Sequence, residues 1–534
     1  MRILKYIMLT VFSLVFLNSE ANNLSINNVA YDNATYKISF DLSWENSWRR
    51  NASIPFNYDG VWIFVKVREC TKKVLSNPGG YTHAWLSTNA GDHSATNSIP
   101  GGEALTIEVG TTDIAATPRG MGIFIYRTAD GGTGTITTSV TLQWDKAVQA
   151  TGMAEIDLAD NYDVDVFGIE MVYVPQASYF LGDGGSNNCF YDFSGGTGTP
   201  YQVNSENTFN VSGTFNRTIG DPSGTAVNAS FPKGYKAFWI MKYEISQSQY
   251  AEFLNTLTYQ QVENRTQDEI FSVTGKRYVM SDQATVYYRQ SICFIPSGDR
   301  RTDKFGVNFN DNNIIDEVDD GGGIACNYLS LRDVLAYLDW AALRPLTELE
   351  YEKACRGTVA PVVYENPWGN GTELQTSAII NSGRPNETAS NSGIGLCNYG
   401  GAVGNVPMRC GYAATNSTNR TRAGAAYYGV MDMAGNVHEP YVSFYTDPSY
   451  SNDFDGSKGD GELDADGYQN VSGWPSRAGD ADVGRFIAKG GNSNRGEAHL
   501  RISDRRVDGG SNYLYDSPAY VSNRNVYGGG RGGR

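Results

Sequence analysis

The sequence predicts an α+β protein: an N-terminal all-β sandwich over residues 22–165, followed by a larger mixed domain over residues 166–534. Three observations predict it. Short runs of alternating apolar and polar residues, separated by Gly, Asn, Asp and Pro clusters, fill the first third of the chain. Capped runs with apolar residues at helical spacing follow only beyond residue 240. The composition, with 60 Gly, 34 Tyr and 9 Trp, describes a globular chain rich in turns, not a disordered one.

At the amino terminus, Arg2 and Lys5 precede an apolar core from Ile7 to Leu17, and Ser19 and Ala21 occupy the small positions before a cleavage site. This order reads as a secretory signal peptide over residues 1–21. The core is too short to cross a bilayer, and no later segment comes close. No cysteine follows it, so a lipoprotein anchor has no attachment point. A secreted or cell-surface protein without a membrane span is expected. With 42 Lys and Arg against 58 Asp and Glu, a net charge of −16, the chain lacks the electrostatic footprint of a nucleic-acid binder.

The strands of the first domain are expected at Tyr36–Trp44, Val61–Cys70, Ala104–Val109, Met121–Arg127 and Ser139–Trp144. Several show period-two alternation, such as Trp62, Phe64 and Val67 against Lys66 and Arg68. His83 and His93 stand ten residues apart in polar loop sequence and read as a solvated pair.

The second domain opens on a strand-like run, Val164–Phe180, and continues through a polar, Gly-rich segment to Phe231. Ser246 and Gln249 form a capping box ahead of a helix carrying Tyr250, Phe253 and Leu254. A second helix runs from Leu331 with Leu331, Val334, Leu335 and Leu338 on one face and stops before Pro345. A third starts at the capping box Thr347 and Glu350 and ends at Gly357. Two acidic stretches, one holding Asp311, Asp316, Glu317, Asp319 and Asp320 and the other covering Asp453–Gly467, lack EF-hand spacing and read as exposed, solvated turns.

The richest stretch is AYYGVMDMAGNVHEP, Ala426–Pro440, which places the carboxylates of Asp432 and Glu439 around a turn through Gly435 and Asn436. Calcium takes six to eight oxygen ligands, and such a turn can aim carbonyls inward; the plainer alternative is an Asn-containing β-turn between two solvated acids. This run resembles the GLYDMxGNVWEW signature of the formylglycine-generating enzyme family, the sulfatase-modifying factors. Further family-like motifs occur in order: EMVYVPQASYFLGD (Glu170–Asp183), FWIMKYEISQSQYAEFL (Phe238–Leu254), LRPLTELEYEKACRG (Leu343–Gly357), and RFIAKGG with LRISDRR (Arg485–Gly491, Leu500–Arg506).

The resemblance implies a C-type-lectin-like, formylglycine-generating-enzyme-like domain over 166–534. It also implies structural Ca2+ held by the Asp432 and Glu439 side chains and the Gly435 and Val437 carbonyls. Asn381 lies where a first calcium site is often built. Arg501, Arg505 and Arg506 match an LRxxxR pattern and are expected to pair with buried carboxylates.

Oxidases of this family hold copper on two cysteines a few residues beyond the RGGS motif, since soft thiolates select Cu(I). The corresponding segment, Lys489–Gly510, has no cysteine, and the last cysteine of the chain is Cys410. No copper is expected, no catalytic residue is assigned, and His438, which stands where the family has Trp, is read as a rim or packing residue. Of the seven cysteines, Cys397 and Cys410 flank a Gly-rich loop and are the favoured disulfide, with buried free thiols as the alternative, above all for Cys326 and Cys355.

The function expected is a secreted, non-catalytic binding or assembly protein with a protein or glycan ligand at the cell surface. The alternatives are a sulfatase-modifying-factor-type enzyme of altered chemistry, or a surface protein with a variable lectin-like C-terminal loop.

Overall fold

The computed structural model describes residues 23–70, 80–97, 102–113, 117–153, 155–213, 217–266, 269–297, 303–443, 454–474, 485–506 and 522–534. The expected signal peptide lies outside them. Among the described residues, no helix is long and apolar enough to cross a membrane.

The first strands are β1 (Ser25–Asp32), β2 (Lys37–Trp48), β3 (Tyr58–Glu69), β4 (Thr82–His83), β5 (Ser94–Asn97), β6 (Leu105–Thr111), β7 (Gly120–Arg127), β8 (Thr133–Gln143) and β9 (Tyr162–Val174). One sheet has the order β1-β2-β8-β5. The other runs from strand Phe238–Met241 through β9, β3 and β7 to β6. Ile38, Phe40, Leu42 and Trp44 of β2 meet Val61, Ile63 and Val65 of β3 in a core shared by the two sheets. All five strands expected in this region are present. β1 escapes sequence reading because its residues are half or fully exposed, so it has no apolar face to alternate.

β3 is buried along almost its whole length. Val61, Ile63, Val65 and Val67 face the shared core, while on the opposite side Trp62 packs on Phe124 and Phe64 on Trp340. Lys66 and Arg68, the polar members of that alternation, are covered as well: Lys66 is 1% exposed and donates its ammonium to the Gly461 carbonyl. The cover comes from residues 454–467 of the acidic stretch Asp453–Gly467, expected as an exposed turn. In the structure it lays Phe454, Gly459 and Gly461 into the protein and pairs Lys458 with Asp113.

His83 is likewise buried. Its Nε2 lies 2.7 Å from the Met121 carbonyl, its ring stacks on Phe64, and a Cβ on Gly461 would meet that ring at 2.3 Å. His93, 7% exposed, sets Nε2 2.9 Å from the Ser87 carbonyl. The solvated histidine pair is thus corrected: each imidazole is packed and hydrogen-bonded, His83 to Met121 of β7 and His93 to the Ser87 carbonyl.

The expected boundary at 165/166 falls inside β9, which pairs with β3 from Tyr58↔Tyr173 to Glu69↔Tyr162. Strand Phe238–Met241 then adds to the free edge of β9, with Phe238 opposite Val174. The buried Lys242 ammonium joins the elements by pairing with Glu170 on β9 at 2.7 Å and with Asp59 on β3 at 3.4 Å.

The helices are α1 (Lys146–Gly152), α2 (Gln247–Thr256), α3 (Tyr259–Arg265), α4 (Leu331–Trp340) and α5 (Glu348–Arg356). The capping boxes expected at Ser246/Gln249 and Thr347/Glu350 are present, and two more start α3 at Thr258/Gln261 and α4 at Ser330/Asp333. Tyr250 and Phe253 of α2 pack on Tyr337 and Trp340 of α4.

Residues 528–534 run buried inside the fold. The Met241, Ile245 and Arg344 amides donate to the Gly532, Gly530 and Gly533 carbonyls, and Trp239 exchanges hydrogen bonds with Arg534. Glycines are needed for this approach: a Cβ on Gly529 would meet Val437 at 2.2 Å, and one on Gly532 would meet Leu338 at 2.3 Å.

Candidate functional site around Asp432, Glu439 and Arg531

The Asp432–Glu439 run forms a buried turn in which Asp432, Gly435 and Asn436 take left-handed φ values of 53°, 78° and 60°. Gly435 admits no side chain, since a Cβ would meet both the Asn398 carbonyl and the Cys397 sulfur at 2.5 Å. Asn436 Nδ2 donates to Glu244 Oε2 at 2.6 Å, and its Oδ1 accepts from the Met408 amide at 2.8 Å. Glu439 then opens strand Glu439–Val442, which pairs antiparallel with Phe486–Lys489.

Asp432 and Glu439 are 8% and 3% exposed, so neither is a solvated acid. Glu439 accepts the Arg531 Nε proton at 2.7 Å from each carboxylate oxygen, and the Tyr441 hydroxyl at 2.6 Å. Arg531 also donates to the Met431 carbonyl at 2.8 Å and the Asp432 carbonyl at 3.1 Å. The Asp432 carboxylate accepts from the Gly411 amide.

A third carboxylate, Glu244, which sequence reasoning did not single out, accepts from Asn436 and from the Val437 amide at 3.2 Å. Its position just ahead of the Ser246 cap gives no hint of this, because its partners are about 190 residues away along the chain.

The electrostatics follow from burial. Desolvation pushes Asp432 up to about 6, against the pull of Arg531 and Arg409, and the Glu439 charge adds to the rise. Desolvation raises Glu244 well above the usual carboxylate range, with the charges of Asp432 and Glu439 adding to it. Three carboxylates thus crowd a guanidinium that is already fully engaged. Carboxylate oxygens are the donor type calcium takes, but both oxygens of Glu439 are held by Arg531, and the three-carboxylate group drawn closely enough for one ion among the described residues is Glu317, Asp319 and Asp320.

Behind the turn, a small cavity of about 30 Å³ is lined by His438, Asn492, Arg495, His499, Asp504 and Arg506. It brings together the two histidines nearest the family-like motifs. Burial and the Arg495 charge lower His438 to about 4, so its ring is neutral at pH 7. The segment 485–506 supplies no thiol, and no cysteine follows Cys410. Arg505 is paired as expected, reaching Glu348 at 2.6 and 3.0 Å. Arg506 pairs with Asp504, while Arg501 lies over the Tyr364 ring at 4.3 Å and makes no ion pair among the described residues.

All seven cysteines are free thiols. The favoured Cys397–Cys410 bond is absent: Cys397 donates to the Ala434 carbonyl and Cys410 to the Glu244 carbonyl, each within its own packing cluster. The first acidic stretch is not freely solvated either. Asp311 pairs with Lys276, Asp316 with Lys304 and Asp319 with Arg384, while Asp320 is fully buried. Asn381 sits exposed on a turn at φ 53°.

The model of the sulfatase-modifying factor enzyme 1-like domain matches residues 211–509, more than half of the chain. The chain belongs to this family. No curated protein matches it. The sulfatase-modifying-factor region holds the Asp432 turn, the His438 cavity and helices α2 to α5, but β1 to β9 and the tail with Arg531 lie outside the matched span. The site is therefore completed by a residue beyond the family-defining stretch.

Proposed function

We propose that this member of the sulfatase-modifying-factor family is a secreted, non-catalytic binding or assembly protein. In this reading an N-terminal β-sandwich is joined to a C-type-lectin-like module stabilised by calcium on Asp432, Glu439 and the Gly435 and Val437 carbonyls, and residues 1–21 direct export. The observation that carries the loss of oxidase chemistry is the thiol-free segment 485–506, in a chain whose last cysteine is Cys410. Without a dithiolate, soft copper has no pair of ligands to hold it. The cavity that remains there is lined by arginines and neutral imidazole and is only about 30 Å³, room for about one water.

Calcium in this reading is structural. It would favour the ionised forms of Asp432 and Glu244, which burial disfavours, and fix the turn on which the surrounding loops stand. A protein or glycan ligand suits the exposed run Val359, Val362, Val363 and Tyr364, which presents apolar and aromatic surface beside Arg501. The test is to incubate purified protein with copper, oxygen and a cysteine-bearing peptide. No aldehyde forms on this account, and formylglycine formation would overturn it.

A further inference from the structure

The pocket beside His438 is built on the stretch that follows strand Phe486–Lys489. Gly490 and Gly491 leave the strand at left-handed φ values of 83° and 69°, and the chain then turns through Asn492 to Arg495. Asn492 Oδ1 accepts the Asn494 amide at 2.9 Å and the Arg495 amide at 3.2 Å, which fixes the orientation of the side chain, so its Nδ2 is the end left free of the turn. Asn492 is 0% exposed and lines the pocket, and its Nδ2 makes no hydrogen bond among the described residues. A buried donor without an acceptor is costly, and the pocket is the space in which an acceptor would sit.

The wall decides which acceptor fits. Arg495 and Arg506 line the pocket against one carboxylate, Asp504. That carboxylate is taken up by Arg506, whose Nε lies 2.8 and 3.1 Å from its two oxygens and whose amide donates to it at 2.7 Å. His438 and His499 add imidazoles, each able to present an N–H. Asn492, His438 and Asp504 are buried while Arg495, His499 and Arg506 are half-buried, so the pocket has a closed floor and a mouth toward solvent. Its volume of about 30 Å³ is that of one water in the liquid, too small for a side chain or a polyatomic oxyanion such as sulfate. Cations outnumber anions around a space for one small occupant, which favours an anion over a neutral water.

We propose that this pocket binds a single chloride ion, held by the Asn492 side-chain amide and the guanidinium charge of its wall. The proposal rests on the reading that copper does not occupy the pocket. The full chain is exchanged into sodium isethionate, whose anion is too large to enter, and chloride then replaces isethionate at a fixed ionic strength of about 0.15 M and a fixed calcium concentration. Chloride is expected to raise the melting temperature of copper-free protein, with bromide acting alike, and the nuclear magnetic resonance line of chloride is expected to broaden beyond that of buffer and to sharpen again on adding bromide. Asn492→Asp keeps the oxygen that takes the Asn494 and Arg495 amides and exchanges the donor for a negative oxygen. It is expected to keep its fold by circular dichroism and to weaken halide binding at least tenfold, as is Arg495→Gln. The proposal is overturned if chloride and isethionate give the same melting temperature and linewidth, as a pocket holding only water would, or if both variants respond to halide as the parent does. Copper retained by the purified protein sinks the underlying reading, whereas a missing halide response in copper-free protein sinks this proposal alone.

Discussion

Arg531 sets its Nε 2.7 Å from both carboxylate oxygens of Glu439, joining the buried stretch 528–534 to the signature turn of the family domain. Both groups are buried, at 1% and 3% exposure. The pair ties the tail to the strand that follows the Asp432 turn. Its effect on stability is asymmetric: breaking one partner leaves a buried charge without compensation.

Arg531→Met is therefore expected to cost about 3–5 kcal/mol. The double change Arg531→Met with Glu439→Gln is expected to recover part of that. Urea denaturation of the single and double variants measures both, and an unperturbed single variant would contradict the pairing.

Calcium dependence is expected to follow pH with a defined sign. The Asp432 carboxyl is raised in the fold to about 6 from an ordinary value of 3.8, so its ionised form disfavours the folded state. Without calcium, stability from this group is intact below about pH 4 and falls as pH rises through about 6, by an amount on the order of 3 kcal/mol. Calcium is expected to raise the Tm at pH 7.5 and to have little effect at pH 4.5, read by melting with and without chelator. An equal response at both pH values would sink the assignment.

Gly435→Ala is expected to destabilise by about 1–3 kcal/mol, because a left-handed backbone and a filled space act together there. The added Cβ would meet the Asn398 carbonyl and the Cys397 sulfur at 2.5 Å. Gly131, at φ 80° with nothing within 4 Å of a Cβ, is the control: it carries the backbone term alone, and its Ala variant should be the milder of the two.

Thiol counting checks the cysteines. Cys70 is exposed and the other six are buried, so native protein is expected to react quickly with one equivalent of Ellman's reagent and denatured, unreduced protein with seven. Five equivalents after denaturation would reveal a disulfide.

What the sequence disclosed depended on whether the signal was local. The caps at Ser246 and Thr347 and the alternation in β2 are set by neighbours a few residues away, and they were legible. Lys66, His83 and the acidic stretch 453–467 escape sequence reading because each is polar in sequence and Lys66 and His83 are covered by Gly461 of that stretch; a polar residue in a loop-like run carries no mark of what will cover it. Arg531 and Glu244 were missed for the same reason at longer range, since their partners are about 90 and 190 residues away. The Cys397–Cys410 pairing failed because proximity to one Gly-rich loop does not bring two side chains together.

The most direct measurement of the central claim is oxygen-dependent conversion of a cysteine-bearing peptide by copper-treated, purified protein, followed by mass spectrometry. The peptide is expected to keep its thiol, and copper is expected to leave on a single desalting step. Stoichiometric copper retention with aldehyde on the peptide would show that a chain with no thiol after Cys410 still oxidises, and the account would fall.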